Sequence, residues 1–530
     1  MNLPLNPLDF LKRALDLGPD RLAVIDGNER ITYRELAERI YRLANLLESI
    51  GVRPGDRVAV LSPNTKQVLE GFYAVPLIGA ILTPLNYRLQ AADCEYILRH
   101  SGASVLLLDH ELLPAIAETR SNLPDLREVL VWNIASEILR LGQDYESLLM
   151  QASAAPREAS PTLDENATMT LNYTSGTTAQ PKGVMLTYRN CFINAINIAY
   201  HFGLTQEDRY LWTLPMFHVN GWGCVWAVTG VGGVHVLLRK VDPESAWNLF
   251  EQHQVTIACA APTVLIMLMN ASVSRKVRLA PGVRIATGGA APTSEIIQRM
   301  ERLGIGIIHY YGLTETSPGI SGCVWQRHWD AKPPAERARL KARQGVSLLG
   351  SGQIKVVDME MREVGHDNQQ VGEIVVRGNV VMAGYYNDAE ATERAFRGGW
   401  FHTGDMAVVE PDGYIRIVDR SKDIIISGGE NISSLEIESV LHRHPCVMEA
   451  AVVAEQHELW GEVPVAYVVL KLGQYISETS LIAYCRDELA HFKIPQAIYF
   501  VSKLPKTATG KIQKNVLRGH VREGKAAEKE

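Results

Sequence analysis

Helix, turn and strand signals follow one another in the same order several times along this 530-residue chain, and that recurrence restricts the fold more than any single motif. Thr32-x-x-Glu35 is a capping box ahead of Leu36, Ile40, Leu43, Leu47 and Ile50 at helical spacing; Gly51 stops the helix, and Arg53-Pro-Gly-Asp56 turns the chain into a strand at Val58–Leu61. Strand signals recur around Val105–Leu108, Arg127–Trp132, Val255–Ala261 and Val283–Thr287. This alternation predicts an α/β architecture with largely parallel sheets, whose ligands bind at strand ends and in the loops beyond them. After Asp419 the pattern restarts. Ser433-x-x-Glu436 opens a helix to about Arg443, Val447–Val453 and Val463–Leu470 read as strands, a helix is expected from about Ser477 to Ala490, and Ala497–Val501 reads as a last strand. That stretch is an α+β unit the size of a small domain.

Composition narrows the function classes. With 46% hydrophobic and 21% charged residues the chain reads as an ordinary globular protein too long for one core, so at least two domains are expected. A net charge of −6 gives no global basic field, which argues against nucleic acid as a partner. The seven cysteines are scattered, odd in number and free of C-x-x-C spacing, as expected of reduced thiols, so a cytoplasmic location is expected. The segment Met1–Pro7 has neither the basic nor the apolar region of a signal peptide. The uncharged stretch Tyr210–Leu238 contains His218, Asn220, His235 and several glycines, and reads as buried strand and helix rather than a membrane span.

Tyr173–Val184 reads Tyr-Thr-Ser-Gly-Thr-Thr-Ala-Gln-Pro-Lys-Gly-Val. Its small residues permit close backbone approach, and Thr174, Ser175, Gly176, Thr177, Thr178 and Lys182 offer hydroxyls, backbone and a cation suited to a polyphosphate. It is not G-x-x-x-x-G-K-[ST], and strand-like runs flank it on both sides (Met169–Tyr173 and Val184–Thr187), so a different nucleotide chemistry is required.

Further words follow in order: Pro215-Met-Phe-His-Val-Asn-Gly-Trp222, Thr287-Gly-Gly-Ala-Ala-Pro292, Tyr311-Gly-Leu-Thr-Glu-Thr316, Gly372-Glu-Ile with Arg377-Gly378, Trp400-Phe-His-Thr-Gly-Asp405, Asp419-Arg-Ser-Lys-Asp423, Gly428-Gly-Glu-Asn-Ile432 and Pro505-Lys-Thr-Ala-Thr-Gly-Lys511. The series resembles the adenylate-forming superfamily of acyl-CoA synthetases, peptide-synthetase adenylation domains and firefly-type luciferases, from about Asp26 to Arg518. The resemblance implies a large N-terminal domain (1–419) with largely parallel sheets, a hinge at 420–423 with Lys422 in the pivot position, and a small mobile α+β domain (424–530) that rotates between two working orientations. A carboxylate resists thiol attack because oxide is a poor leaving group. Such enzymes therefore first make an acyl-adenylate from ATP, releasing pyrophosphate, and then pass the acyl group to CoA and release AMP. Bringing an anion to a polyanion requires mainly charge neutralisation and alignment.

The resemblance also implies roles for individual residues. The loop from Thr174 to Thr178, with Lys182, embraces the β- and γ-phosphates. Glu315, with Thr177, attends Mg²⁺, for which hard oxygen ligands suit. Tyr311 stacks on adenine, within the word that carries Gly312 and Thr314, while Gly288, Gly289 and Ala290 let backbone approach the ring. Asp405 accepts from the ribose hydroxyls with Arg420 beside it. Lys511 bridges the carboxylate and the α-phosphate, and His218 stands beside the acyl carboxylate. The Gly428–Gly429 pair lets pantetheine pass.

Substrate class is narrowed by an absence in the sequence. Phe217-His-Val-Asn-Gly-Trp222 lacks the aspartate with which amino-acid-activating relatives hold an α-ammonium, so an acid without that amine is expected, against an apolar lining from Val219, Gly221 and Trp222. The segment looks most like medium- and long-chain fatty acyl-CoA synthetases, in which the tryptophan gates an acyl tunnel. Gly221 where alanine is common, and Ile432-Ser433-Ser434 without the usual proline, leave aryl and short-chain acids open. An acyl-AMP ligase loading a carrier protein and a catalytically dead sensor stand as alternatives; the latter should have lost Lys511, Glu315 or the phosphate loop, and none is missing. Family analogy leaves a homodimer open.

Overall fold

A computed structural model describes residues 3–133, 142–158, 163–174, 180–271, 277–428, 430–506 and 512–519. Ser175, Gly176, Thr177, Thr178, Gly429 and Lys511 lie outside the described residues.

The expected helix after Thr32 spans Tyr33–Ser49, and its capping box is complete: Glu35 N donates to Thr32 Oγ1 at 3.2 Å while Thr32 N donates to Glu35 Oε2 at 2.7 Å. Leu36, Ile40, Leu43 and Leu47 form its buried stripe, each contributing on the order of 1.5–3 kcal/mol by leaving water. Removal of the Thr32 hydroxyl would cost about 1 kcal/mol of that helix's stability.

Among the described residues the strands form four sheets. The first has nine strands, and its six parallel central members run in the spatial order Gly306–Gly312, Arg284–Thr287, Ile257–Ala260, Arg209–Leu211, Val234–Val236 and Leu22–Asp26. Antiparallel strands close both edges. The second sheet, of eight strands, carries Arg57–Leu61, Ala103–Asp109 and Glu128–Trp132 in parallel, and at its other side the antiparallel trio Thr168–Thr174, Lys182–Thr187 and Gly384–Tyr385. A four-stranded antiparallel sheet follows, from Gln353–Val357 to Ile415–Arg420. The fold class is therefore the α/β one that the alternation predicts.

After Arg420 the chain builds a separate five-stranded sheet, with Gly461–Leu470 paired to Val447–His457, Ile425–Ser427 and Ala497–Phe500. Its core is Ile425, Ile432, Ile437, Leu441, Val452, Val468 and Leu481. The helix expected to run to Ala490 spans Glu478–Glu488, because Leu489 is extended at φ −124° and a single 3₁₀ turn follows. Ser433 caps the helix Ser434–Arg443 by accepting from Glu436 N at 3.1 Å.

Candidate active site

The hydroxyl-rich loop is bracketed by an antiparallel ladder in which Thr174 faces Lys182. That ladder continues to Gly384–Tyr385, with Tyr385 opposite Val184, so residues 200 positions apart in sequence share one sheet edge. As a result the Lys182 ammonium lies 4.7 Å from the centre of the Tyr385 ring and 3.7 Å from Asp388 Oδ2. Asp388 also caps the helix Ala389–Ala395 through Ala391 N at 3.0 Å. On the same tyrosine, the hydroxyl donates to Glu315 Oε1 at 3.0 Å, and the Glu315 carbonyl accepts from Met382 N at 2.8 Å. Burial, and secondarily the Glu315 carboxylate, hold the Tyr385 hydroxyl protonated by pushing its pKa up. Neither Tyr385 nor Asp388 stands out in the sequence; only the long-range pairing brings them to the loop.

Thr314–Thr316 is one 3₁₀ turn just past the end of the strand Gly306–Gly312. Gly312 is required sterically, since a Cβ there would lie 1.4 Å from the Pro318 carbonyl oxygen. Within the strand, adjacent side chains face opposite ways. Tyr311 sends its hydroxyl to Asp405 Oδ2 at 2.6 Å, whereas Tyr310 donates to Asn194 Oδ1 at 3.0 Å. Asp405 lies opposite Arg420 in the last antiparallel ladder, and Arg420 Nε meets Asp405 Oδ1 at 3.0 Å. Asp405 is the first cause that raises the Arg420 pKa; Tyr311 and Glu315 also raise it, so the Glu315 carboxylate lies within electrostatic reach of the Asp405–Arg420 pair. Each Asp405 oxygen keeps acceptor capacity beyond the partner named here.

Gly288, Gly289 and Ala290 lie just beyond the parallel strand Arg284–Thr287, where such sheets bind ligands. Gly288 has no room for a Cβ, which would meet the Tyr310 carbonyl oxygen at 2.5 Å and the Trp222 ring at 3.0 Å, whereas Gly289 is favoured by its φ of +79°. His218 is half-buried, its backbone N–H held by the Pro215 carbonyl at 3.1 Å.

The chain that follows His218 is strained. Val219, Asn220, Gly221, Trp222 and Gly223 all have positive φ, and a β-branched valine at +38° is a genuine outlier. Fixed partners hold this turn: Asn220 Nδ2 donates to Thr170 Oγ1 at 2.8 Å, and Asn194 Nδ2 donates to the Trp222 carbonyl at 3.3 Å. Val219 and Trp222 are buried by it, and the Trp222 ring rests against Gly288 and Tyr310. The structure thus brings Trp222 and Gly288 together against Tyr310, with His218, Val219 and Gly221 on the same turn as Trp222.

Lys422 occupies the exposed turn between the last two sheets, its pKa lowered chiefly by desolvation. Arg518 donates to the Lys422 carbonyl at 3.2 Å and pairs with Asp423. Asp419 reaches across that turn: its Oδ2 accepts from Ser434 N at 2.6 Å and Ser434 Oγ at 2.5 Å. Gly428, at φ +58°, donates to the Trp460 carbonyl at 2.8 Å, and a Cβ there would touch the Trp460 ring at 2.9 Å. Trp460 is half-exposed and was not signalled by any sequence word.

Residues 11–386 match the family described as AMP-binding enzyme, and residues 436–511 match the AMP-binding enzyme C-terminal domain. The chain belongs to the AMP-binding enzyme family, within the class of acid–thiol ligases. A peroxisomal butyrate–CoA ligase of Arabidopsis thaliana is 40% identical over 98% of this chain and 93% of its own length. A 2-methylpropanoate–CoA ligase of Humulus lupulus is 42% identical over 98% of this chain and 95% of its own. The solved structure of an anthranilate CoA ligase in complex with anthranoyl-AMP superposes with a TM-score of 0.89 at 26% identity, covering 99% of both chains. No helix among the described residues is long and apolar enough to cross a membrane.

Proposed function

We propose that this protein makes the CoA thioester of a small carboxylic acid, short-chain, branched or aryl, through an acyl-adenylate, with ATP cleaved to AMP and pyrophosphate. The observation that carries the reading is the pairing of two built groups at adjoining strand ends: Tyr311–Asp405–Arg420, suited to adenosine, and Glu315–Tyr385–Lys182, suited to a metal-bound triphosphate. The medium- and long-chain acids expected from the sequence give way to smaller ones for two reasons. Trp222 and Tyr310 close on each other at 5.9 Å between ring centres, and the relatives described above are named for butyrate, 2-methylpropanoate and anthranilate. The cytoplasmic expectation is not carried forward, since one of those relatives is named as peroxisomal.

In this reading Thr174, Ser175, Gly176, Thr177, Thr178 and Lys182 hold the β- and γ-phosphates. Tyr311 and the Gly288–Ala290 backbone flank adenine, and Asp405 accepts from the ribose. Glu315 fits Mg²⁺: it is a hard carboxylate at the site, fixed on one oxygen by Tyr385, and Thr177 would be its companion ligand. Among the described residues no three-ligand side-chain cluster exists, in keeping with an ion held by one or two carboxylates together with substrate phosphates. Such an ion supplies charge neutralisation on the phosphates. Lys511 neutralises the approaching carboxylate and α-phosphate, and His218 borders the acid. Residues 420–423 then act as the hinge between units 1–419 and 424–530, bringing Gly428 and Gly429 to the site for the CoA step.

The test is exchange of labelled pyrophosphate into ATP in the absence of CoA. Exchange that depends on butanoate or benzoate, with thioester formed once CoA is added, is expected; exchange independent of any acid would refute the proposal.

A further inference from the structure

We infer that His100 is a positioning residue for the nucleotide: it ties together the two strands from which the phosphate loop springs and so holds Thr174 and Lys182 at a fixed separation, an inference that rests on the ligase reading above. His100 lies in the last turn of the helix Ala91–Ser101, which buries Cys94, Ile97, Leu98 and Ser101. Arg57 fixes the end of that helix to the neighbouring strand, its Nε donating to the Ser101 carbonyl at 2.6 Å and its Nη2 to the Gly102 carbonyl at 3.1 Å. The half-buried imidazole therefore projects from an anchored base.

Three tyrosines surround the ring and connect it to both sides of the loop. On the entering strand, the Tyr173 hydroxyl meets His100 Nδ1 at 2.7 Å, one residue before Thr174. On the leaving side the link is Tyr96, one helical turn before His100. It stacks on the imidazole with centres 5.5 Å apart and planes 23° apart, and it donates to the Pro181 carbonyl at 3.3 Å, one residue before Lys182. Tyr386 meets the imidazole near perpendicular, with centres 5.7 Å apart and planes at 79°, while its backbone N–H donates to the Gly183 carbonyl at 2.7 Å. Alternation along that chain sends Tyr385 to Lys182 and Glu315, and Tyr386 to His100. Gly183 makes the close fit possible, since a Cβ there would lie 3.3 Å from both Tyr173 Cζ and Tyr386 Cβ.

The hydrogen bond to Tyr173 has one sense. Burial raises the Tyr173 pKa well above its usual 10.0 and pushes the His100 pKa below 6.5, with Asp388 opposing the latter, so the phenol keeps its proton and donates to a neutral imidazole. Asp388 is also the ion-pair partner of Lys182 at 3.7 Å, so one carboxylate acts on the cation at one stem of the loop and on the imidazole behind the other. The backbone ladder sets Thr174 opposite Lys182, but these are its last paired residues, and the ends of such elements are where local opening is cheapest. His100 braces the ladder at that end. It acts through Tyr173 and Tyr96, and the gain is a cation and a hydroxyl already placed for the phosphates when the nucleotide arrives.

The experiment measures exchange of pyrophosphate into ATP with butanoate and, separately, thioester synthesis from supplied butanoyl-adenylate and CoA, in the wild type, His100→Phe, His100→Asn, Tyr173→Phe and the double variant of His100→Phe with Tyr173→Phe. His100→Phe keeps a ring against Tyr96 and Tyr386 and removes the acceptor. It should raise the KM for ATP about threefold to tenfold, the weight of one hydrogen bond, and leave the KM for butanoate within about twofold of the wild type. Thioester synthesis from the adenylate, which carries no β- or γ-phosphate, should also stay within about twofold. His100→Asn returns an acceptor close to the place of Nδ1 and should lie nearer the wild type than His100→Phe does. Tyr173→Phe removes the other half of the same bond, so it should match His100→Phe, and the double variant should be no worse than either alone. A folded His100→Phe protein with the wild-type KM for ATP would overturn the inference, as would equal losses in both half-reactions or single effects that add in the double variant. Should His100→Phe fail to fold, Tyr173→Phe decides the matter, since an unchanged KM for ATP in that protein would overturn the inference by itself. Absence of acid-dependent exchange in the wild type would instead refute the ligase reading.

Discussion

The Tyr385 hydroxyl donates to Glu315 Oε1 at 3.0 Å, while the ring of the same tyrosine lies under the Lys182 ammonium at 4.7 Å. One neutral side chain thus sets the separation of the carboxylate proposed for Mg²⁺ and the cation proposed for phosphate. Tyr385→Phe retains the ring and removes only the hydroxyl, so kcat should fall about fivefold to tenfold, the weight of one hydrogen bond, with a raised Mg²⁺ requirement. Tyr385→Ala should lose more, since the Lys182 contact goes too. Metal titrations of the two variants measure this; an unchanged Mg²⁺ dependence in both would separate Tyr385 from the site.

Asp405 carries a second prediction. Its carboxylate serves Tyr311 and Arg420 together, and Asp405→Asn neutralises a charge-assisted pair without altering shape. The KM for ATP should rise about tenfold to a hundredfold, in proportion to one lost charged hydrogen bond, whereas the KM for the acid should move little. Equal rises in both constants would point to general disruption instead of loss of ribose binding.

The two halves of the reaction should separate by mutation. Lys511→Ala should nearly abolish pyrophosphate release yet spare thioester synthesis from supplied acyl-adenylate, because its charge is needed only as pyrophosphate departs. Lys422→Pro should do the converse, by fixing φ in the proposed hinge. The hydrogen bonds from Ser434 to Asp419 cross that hinge, so rotation must break them or carry Asp419 along. Ser434→Ala should accordingly change the ratio of the two half-reaction rates. Equal loss of both half-reactions in folded Lys511→Ala and Lys422→Pro proteins would contradict the rotation.

Stability at mildly acidic pH should report on His235. Trp212 Nε1–H donates to its Nδ1 at 3.1 Å, which leaves the ring proton on Nε2 facing Thr229 Oγ1 at 2.9 Å. Burial pushes its pKa down from 6.5 to about 3. The unfolded chain therefore binds a proton that the folded chain refuses. The stabilisation is complete above pH 6.5, falls as pH drops, and is exhausted near pH 3. Unfolding free energies from urea titrations should decline between pH 6 and pH 4 more steeply for the wild type than for His235→Gln, by up to about 1.4 kcal/mol per pH unit. Parallel curves would contradict this.

Much of this is legible in the sequence. The capping box at Thr32 and the strand signals foretold the α/β sheets, since periodicity and caps are local properties. The words holding Tyr311, Asp405 and Arg420 foretold residues that do converge. Tyr310 and Tyr385 were not foretold. A tyrosine in a buried strand gives no local sign of which aromatic it will meet, and Tyr385 reaches Lys182 only through a sheet pairing across 200 residues. Helix ends such as Glu488 were misplaced by two residues because the backbone turns extended at Leu489 with no glycine or proline to mark it.

The most direct measurement of the central claim is product stoichiometry across a panel of acids with ATP, Mg²⁺ and CoA, reading AMP and thioester in the same sample. Short-chain, branched or aryl acids should give AMP and acyl-CoA in equal amounts, both dependent on acid and on CoA, and decanoate should give little of either. AMP without matching thioester, or thioester from decanoate as readily as from butanoate, would contradict the account.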